Sequence, residues 1–302
     1  MKRTTDGQGS YAAELAVALA AAEEAGRMLR ARFGDAWRVG VKGEDGDVVT
    51  ELDLAAERIV LDRLREGFPE DRVWSEEAGI LEGSADRTWL VDPLDGSNNV
   101  AVGLPVYAVG IGLCVDGAPV LGVVHEPHTG VTWHAVRGGG THRRGGRPDK
   151  GAGSTAPEAR PATVVETLPP DTPVPASAPR LVVAWTQGHS VRKDDALASA
   201  LRVALERRSR RVLALWAPLI GWSMLARGTI DGFVGYCAEA VDFPPGALLA
   251  LEAGCEFRTL EGGPFRIGFT GPDTTRCFVA GRPDVIDRLV ALTREATGAS
   301  VV

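Results

Sequence analysis

Three strand-like segments follow one another in the middle of the sequence, with only short turns between them. They span residues 106–115, 120–125 and 131–136, and each is rich in valine and other residues that favour strands. Because strands joined by short turns pair with their neighbours in the chain, this pattern predicts an antiparallel sheet.

Helical patterns precede these strands. Apolar residues recur at helical spacing from Tyr11 to Phe33, and Gly34 follows as a stop signal. A second helix is predicted from about Asp53 to Gly67, followed by a short strand at residues 73–74. The first part of the chain therefore combines two helices with a sheet.

The last third of the sequence alternates between strand and helix patterns, which predicts an α/β lobe. Between the two regions the composition shifts to Gly, Pro, Ser, Thr and Ala, which is typical of a long loop. We therefore predict an N-terminal α+β lobe at residues 1–145, a Pro/Gly-rich loop at 146–180 and a C-terminal α/β lobe at 181–302. The predicted strands of the last lobe are 181–185, 212–215, 232–235 and 277–280, and its predicted helices are 194–206, 219–226, 246–253 and 283–296.

Composition narrows the class of protein. A chain of 302 residues with 44% hydrophobic residues can bury a large core, and a formal net charge of -7 argues against a nucleic-acid polymer as partner. The four cysteines are isolated in the sequence, so we predict reduced thiols.

No apolar run approaches the roughly 20 residues needed to span a membrane, and the N-terminus lacks a signal-peptide pattern. We expect a cytoplasmic enzyme with no membrane partner.

The segment from Trp89 to Ser97 carries the strongest chemical signal. The apolar run at residues 89–91 predicts a buried strand, and the turn after it presents the carboxylates of Asp92 and Asp95 with the hydroxyl of Ser97. Asp-Pro and Asp-Gly are also ordinary turn dipeptides, so the motif alone leaves both interpretations open. If the carboxylates converge, their repulsion requires a cation, and Mg²⁺ prefers such oxygen ligands.

Other acidic residues stand at the ends of predicted elements. Glu76 and Glu77 follow the short strand, Asp53 opens the second helix, and Asp242 precedes a helix that begins with two prolines. The segment around Asp242 is otherwise apolar, which is a poor setting for a solvated surface charge. This placement favours a shared acidic site over a scattered acidic surface.

These motifs, in this order, resemble the inositol monophosphatase superfamily of Mg²⁺-dependent, lithium-sensitive phosphatases. The resemblance rests on Asp-Pro-Leu-Asp-Gly-Ser at 92–97, on the preceding Glu-Glu pair, and on Asp242 followed by Gly246 and Glu-Ala-Gly at 252–254. It implies a layered αβαβα sandwich, the sugar-phosphatase fold, and a homodimer. It also implies hydrolysis of a small phosphorylated metabolite by a metal-activated water.

The resemblance assigns roles to individual residues. Asp53 and Ser97 would orient a metal-bound water together with Glu76, and the backbone amides of Gly96 and Ser97 would hold the phosphate. Each site would take two or three Mg²⁺ ions, with Mn²⁺ as a substitute and Li⁺ as an inhibitor. The implied metal ligands are Glu76, Asp92, the carbonyl of Leu94, Asp95 and Asp242.

The positions that bind substrate in the family are changed here. Gly235 replaces a glutamate that contacts inositol hydroxyls, and Trp216 stands where the family has glycine. We interpret Trp216 and Trp185 as core residues, with an aromatic face toward a planar substrate group as the alternative. His189 lies near a segment that the family uses for substrate. The substrate-binding candidates are therefore Trp216, Gly235, Trp185 and His189.

The sequence is compatible with several functions. We favour a sugar, polyol or nucleoside phosphate other than inositol monophosphate as substrate, and the alternatives are a conventional inositol-1-monophosphatase or fructose-1,6-bisphosphatase. A non-catalytic protein that binds a phosphate ligand is an alternative of another class. Phosphatases of the haloacid dehalogenase type are disfavoured because they need Asp-x-Asp, whereas two residues separate Asp92 from Asp95.

Overall fold

A computed structural model describes residues 11–35, 39–42, 47–146, 166–167 and 181–298, which form three sheets and seven α-helices. Within these ranges no helix is both long enough and apolar enough to cross a membrane. The helices are α1 (Ala12–Arg32), α2 (Glu51–Gly67), α3 (Ser97–Ala101), α4 (Ala196–Arg208), α5 (Pro218–Ala226), α6 (Phe243–Glu252) and α7 (Ile286–Thr297).

The largest sheet has eight strands in the order β10-β9-β8-β7-β6-β5-β3-β4. Strands β5 to β9 pair antiparallel with their chain neighbours, which the sequence predicted for β6 to β8, whereas β3 pairs parallel to β5. A separate hairpin, β1 (Val39–Lys42) with β2 (Asp47–Thr50), precedes α2. The strands of the large sheet are β3 (Asp71–Ser75), β4 (Gly79–Leu81), β5 (Ser84–Asp95), β6 (Ala108–Val115), β7 (Ala118–Glu126), β8 (Val131–Val136), β9 (Thr141–Gly145) and β10 (Glu166–Thr167).

Two features of this sheet differ from the sequence prediction. Strand β5 does not end before Asp92 but continues to Asp95, with a register shift between these two residues. Strand β9 was not among the predicted strands, although it lies within the predicted N-terminal lobe. Most of the predicted loop at 146–180 lies outside the described residues, so the division into lobes stays a prediction.

The second sheet has five strands in the order β12-β11-β13-β15-β14. Strand β11 pairs parallel with β12 and β13, as expected for alternating strands and helices, whereas β15 pairs antiparallel with β13 and β14. The short β14 was not predicted. The strands are β11 (Val182–Gln187), β12 (Arg211–Leu213), β13 (Gly232–Tyr236), β14 (Glu256–Arg258) and β15 (Phe278–Gly281).

Helices cover both sheets and also lie between them. α1 and α2 pack on one face of the large sheet, α5 and α6 lie between the two sheets, and α4 and α7 cover the second sheet on its outer side. Aromatic rings fill the middle layer, where Trp222 stacks on Phe278 with ring centroids 5.0 Å apart. The result is the predicted αβαβα arrangement.

A glycine in β7 allows α6 to lie close to the large sheet. A Cβ on Gly122 would stand 2.4 Å from the carbonyl oxygen of Pro245, in the first turn of α6. Any side chain there would push the helix away from the sheet. The close approach matters for function because Asp242 lies directly before this helix.

Candidate metal centre and active site

Three buried aspartates meet where the large sheet contacts the middle helices. Asp92 and Asp95 come from the end of β5, and Asp242 comes from the residue before α6. One carboxylate oxygen from each lies within 4.8 Å of the others. The three residues are only 4–6% exposed, so water cannot effectively screen the charges of their carboxylates from one another.

The irregular end of β5 brings its two aspartates to one site. Asp92 pairs with Gly110 and Asp95 pairs with Ala108, so the register shifts between them and β5 carries an extra residue. The backbone amide of Leu94 donates a 3.1 Å hydrogen bond to Asp92 Oδ1, and that of Leu219 donates a 2.6 Å hydrogen bond to Asp95 Oδ2. Backbone donors thus fix both carboxylates.

Glu76 joins the cluster from the neighbouring strand. It follows β3, and its backbone amide donates a 3.0 Å hydrogen bond to the carbonyl of Val91. Its carboxyl group contributes to raising the pKa of Asp92, but it lies outside the tight group of three aspartates. A buried Glu57 supports this turn, since Ser75 Oγ and the amide of Ala78 donate to its Oε1 at 2.5 and 2.8 Å.

The charges in this cluster are poorly compensated by protein groups. Burial raises the pKa of Asp92 well above its ordinary value, and the carboxylates of Glu76, Asp95 and Asp242 raise it further. Burial also raises the pKa of Asp95 and Asp242, with contributions from Asp242 and Glu239 respectively. The Oδ1 atom of Asp242 is buried without a hydrogen-bond partner among the described residues. An all-oxygen, anionic and partly unsatisfied donor set of this kind fits a hard divalent cation.

A second polar group adjoins the acidic cluster. The hydroxyl of Ser97 is within hydrogen-bond distance of Asp53 Oδ1 and of the Leu94 carbonyl, the latter at 2.9 Å. Thr50, which caps α2, donates to Asp53 Oδ2 from its hydroxyl at 2.5 Å and from its amide at 2.8 Å. Burial raises the pKa of Asp53 despite these hydrogen bonds. The structure therefore brings together Asp53 and Ser97, which are far apart in the sequence.

Gly96 forms the tight turn that leads from β5 into α3. Its φ angle is +99°, and a Cβ would stand 2.8 Å from the carbonyl oxygen of Val106, so only glycine fits. α3 is too short to show a periodic pattern, and the sequence did not predict it. Gly96, Ser97 and Asn98 all line the cavity described next, so the start of α3 borders the carboxylates.

A cavity of about 530 Å³ extends from the acidic cluster. Three of the four predicted substrate residues line it, namely Trp185, His189 and Trp216. The prediction that Trp216 packs in the core was wrong, because this residue is 64% exposed. Its φ angle is +51°. Trp185 is buried, as expected for a core residue, yet it also borders the cavity.

Gly235 is not brought to the cavity. It lies in β13, and a Cβ there would stand 2.2 Å from the ring of Phe278. Residue 235 thus faces the aromatic layer. Sequence reasoning missed several polar or charged wall residues because none of them belongs to a motif; they are Gln187, Lys193, Arg202 and Glu239.

Comparison with known protein families agrees with this geometry. A family model described as the inositol monophosphatase family matches residues 11–297. The layered fold and the carboxylate site place the chain in one class of protein: it belongs to the inositol monophosphatase family.

Individual relatives carry different names. "Nus factor SuhB" of Escherichia coli K12 is 30% identical over 284 residues, which cover 93% of this chain and 96% of that protein. "Fructose-1,6-bisphosphatase/inositol-1-monophosphatase" of Thermotoga maritima is 28% identical over 229 residues, which cover 76% and 78% of the two chains. The family therefore includes proteins named as phosphatases and proteins named as Nus factors.

Solved structures show the same fold. The suhB protein of Bartonella henselae superposes with a TM-score of 0.74 at 23% identity, over 94% of this chain and 99% of that chain. Mycobacterium tuberculosis SuhB gives a TM-score of 0.70 at 26% identity, over 97% and 100% of the two chains.

Proposed function

We propose that this protein is a Mg²⁺-dependent phosphatase that hydrolyses a small sugar, polyol or nucleoside phosphate. The observation that carries the proposal is the convergence of Asp92, Asp95 and Asp242 within 4.8 Å beside a cavity. A site this acidic repels a phosphate dianion unless cations are bound first. The family relatives named as phosphatases support the same conclusion.

The donor set indicates which residues would hold the metal. We assign the ligands to Asp92, Asp95, Asp242 and Glu76, with the Leu94 carbonyl as a fifth. When bound, Mg²⁺ supplies Lewis acidity, lowering the pKa of water and neutralising charge on the phosphoryl oxygens. Two or three ions per site, replacement by Mn²⁺ and inhibition by Li⁺ are expectations from the resemblance.

The residues beside the metal ligands would handle the proton and the phosphate. Ser97 Oγ contacts Asp53 Oδ1, so the hydroxyl can accept a proton from an attacking water while passing its own to Asp53. The backbone amides of Gly96 and Ser97, at the start of α3, provide donors for phosphate oxygens. Direct attack by water needs no covalent phosphoenzyme.

The substrate proposed is not plain inositol monophosphate. Gly235 has no side chain to contact a hydroxyl and faces Phe278, whereas Trp216 presents an exposed ring at the cavity. Comparing kcat/KM for inositol 1-phosphate, fructose 1,6-bisphosphate and adenosine phosphates tests this assignment. A strong preference for inositol 1-phosphate would support the conventional alternative instead.

Release of phosphate from p-nitrophenyl phosphate tests the enzyme class. Wild type should require Mg²⁺, Asp92→Asn should lose nearly all activity, and the exposed Asp86→Asn should behave as wild type. Equal, negligible rates for wild type and Asp92→Asn would favour a non-catalytic role. A cytoplasmic homodimer without a nucleic-acid partner stays a prediction.

A further inference from the structure

The residues that line the cavity differ in burial. Asp92, Asp95 and Asp242 are buried, Glu76 and Glu239 are half-buried, and Lys193, Arg202 and Trp216 on the walls are exposed. We define these three exposed residues as the rim. A phosphate held at the buried carboxylates would leave the rest of its substrate facing this rim.

Arg202 is an exposed cation on the wall of the cavity. It lies on α4 and lines the cavity, and no carboxylate of the described residues is within ion-pair distance of it. Arg208 on the same helix, by contrast, contacts Glu295 at 3.3 Å. Guanidinium groups bind phosphates and carboxylates through two parallel hydrogen bonds. Arg202 is therefore available to an anion that enters the cavity.

Trp216 is held in an unusual conformation between the carboxylates and the outer wall. A φ angle of +51° is unfavourable for a bulky residue, and such conformations persist where the surroundings fix them. Asn99 Nδ2 donates a 2.6 Å hydrogen bond to the carbonyl of the preceding Leu215. The backbone beside Trp216 is thus held in place, and the exposed indole provides a flat surface on which a sugar or base can pack.

The size of the cavity is consistent with a substrate that reaches the rim. A volume of about 530 Å³ lies within the roughly 300–1,000 Å³ of sites that bind drug-sized ligands. We propose that the substrate carries a second anionic group, a phosphate or carboxylate, that pairs with Arg202 while its ring packs on Trp216. This inference rests on the proposed function, because it places the reacting phosphate at the carboxylates.

Paired ligands that differ by one phosphate test the inference. Adenosine 3′,5′-bisphosphate is compared with adenosine 3′-monophosphate, and fructose 1,6-bisphosphate with fructose 1-phosphate. Binding is measured calorimetrically with Ca²⁺ in place of Mg²⁺, so that the ligands are not hydrolysed during the titration, and phosphate release is measured separately with Mg²⁺. The variants are Arg202→Gln, Trp216→Ala and the matched control Arg207→Gln, which removes an exposed charge from the same helix outside the cavity lining.

In at least one pair, wild type should bind the bisphosphate more tightly, and Arg202→Gln should weaken that binding about tenfold or more. The same substitution should change monophosphate affinity less than about twofold, whereas Trp216→Ala should weaken both ligands. Equal effects of Arg202→Gln on both members of each pair, or no wild-type preference or no binding in either pair, overturn the inference. Selective binding without phosphate release supports it while refuting the proposed function.

Discussion

The carboxylate of Asp95 accepts a 2.6 Å hydrogen bond from the backbone amide of Leu219, although 124 residues separate the two in sequence. Leu219 lies in the first turn of α5, directly after the segment that carries Trp216. This contact orients one Asp95 oxygen and joins a wall of the cavity to the carboxylates. The segment that carries Trp216 is therefore linked through Leu219 to the carboxylate of Asp95.

Removing one carboxylate should stabilise the metal-free protein. In Asp92→Asn an amide replaces a buried carboxyl group whose pKa is raised by burial and by three neighbouring acids. We expect the free energy of unfolding without metal to increase by about 1 kcal/mol, or roughly 2–4 °C in Tm. Wild type should gain stability on adding Mg²⁺, whereas the variant should gain much less, as thermal melts with EDTA or Mg²⁺ will show.

Ser97→Ala should separate catalysis from metal binding. The substitution removes the hydroxyl that contacts Asp53 Oδ1 but leaves every proposed metal ligand in place. We expect kcat to fall roughly a hundredfold or more, with an unchanged Mg²⁺-induced shift in Tm. Ser97→Thr restores a hydroxyl and should recover most of the activity. Full activity in Ser97→Ala would exclude the proton-transfer role.

Two glycines with positive φ angles provide a matched pair for the turn before α3. Gly96 has φ +99° and a Cβ would stand 2.8 Å from the Val106 carbonyl, whereas Gly103 has φ +80° and open space around that position. Gly96→Ala should destabilise the protein by about 2–3 kcal/mol and Gly103→Ala by about 1 kcal/mol, measured by urea unfolding. Equal costs would mean that backbone strain alone matters and that the contact with Val106 relaxes.

His134 should make the protein less stable in mild acid. Burial lowers its pKa to about 4, with contributions from His142 and Arg144, whereas an unfolded histidine titrates near 6.5. Since the unfolded chain binds the proton more readily, this residue costs stability as pH falls from about 6.5 towards 4. Raised carboxylate pKa values act in the opposite direction, so the comparison must be made between variants.

The free energy of unfolding at pH 7 and at pH 5, compared between variants, measures the contribution of His134. Between pH 7 and pH 5, wild type should lose roughly 2 kcal/mol more stability than His134→Asn. His128→Asn, at an exposed turn, serves as the control and should follow wild type. Parallel pH profiles for wild type and His134→Asn would show that His134 is readily protonated in the folded state.

The sequence predicted the convergence of the buried aspartates more successfully than the walls of the cavity. The turn around Asp92 and Asp95 is readable because Pro, Gly and Ser occur at fixed positions within a few residues. The proximity of Asp242 was suggested by its apolar setting before a helix, and the structure brings its carboxylate within 4.8 Å of the other two. Local patterns favoured a shared acidic site, and the family resemblance assigned the individual aspartates to it.

The residues of the cavity walls come together through contacts between distant parts of the chain, and such contacts leave no local pattern in the sequence. Trp216 was assigned to the core because tryptophan is usually well buried, but the hydrogen bond from Asn99 to Leu215 fixes its segment at the cavity. Arg202 resembles any exposed helix residue until the packing of α4 places it beside the cavity. Gly235 was assigned to substrate by position alone, whereas the strand register directs that position towards Phe278.

The layered architecture has an evolutionary consequence. The proposed cation ligands lie directly after β3, in β5 and directly before α6. Arg202 lies on α4, and Trp216 lies in the segment between β12 and α5. The side chains of Arg202 and Trp216 can therefore change while the backbone hydrogen bond from Leu219 to Asp95 is kept. A duplicated copy of such a gene can change its selectivity in small steps while each intermediate keeps its carboxylate cluster.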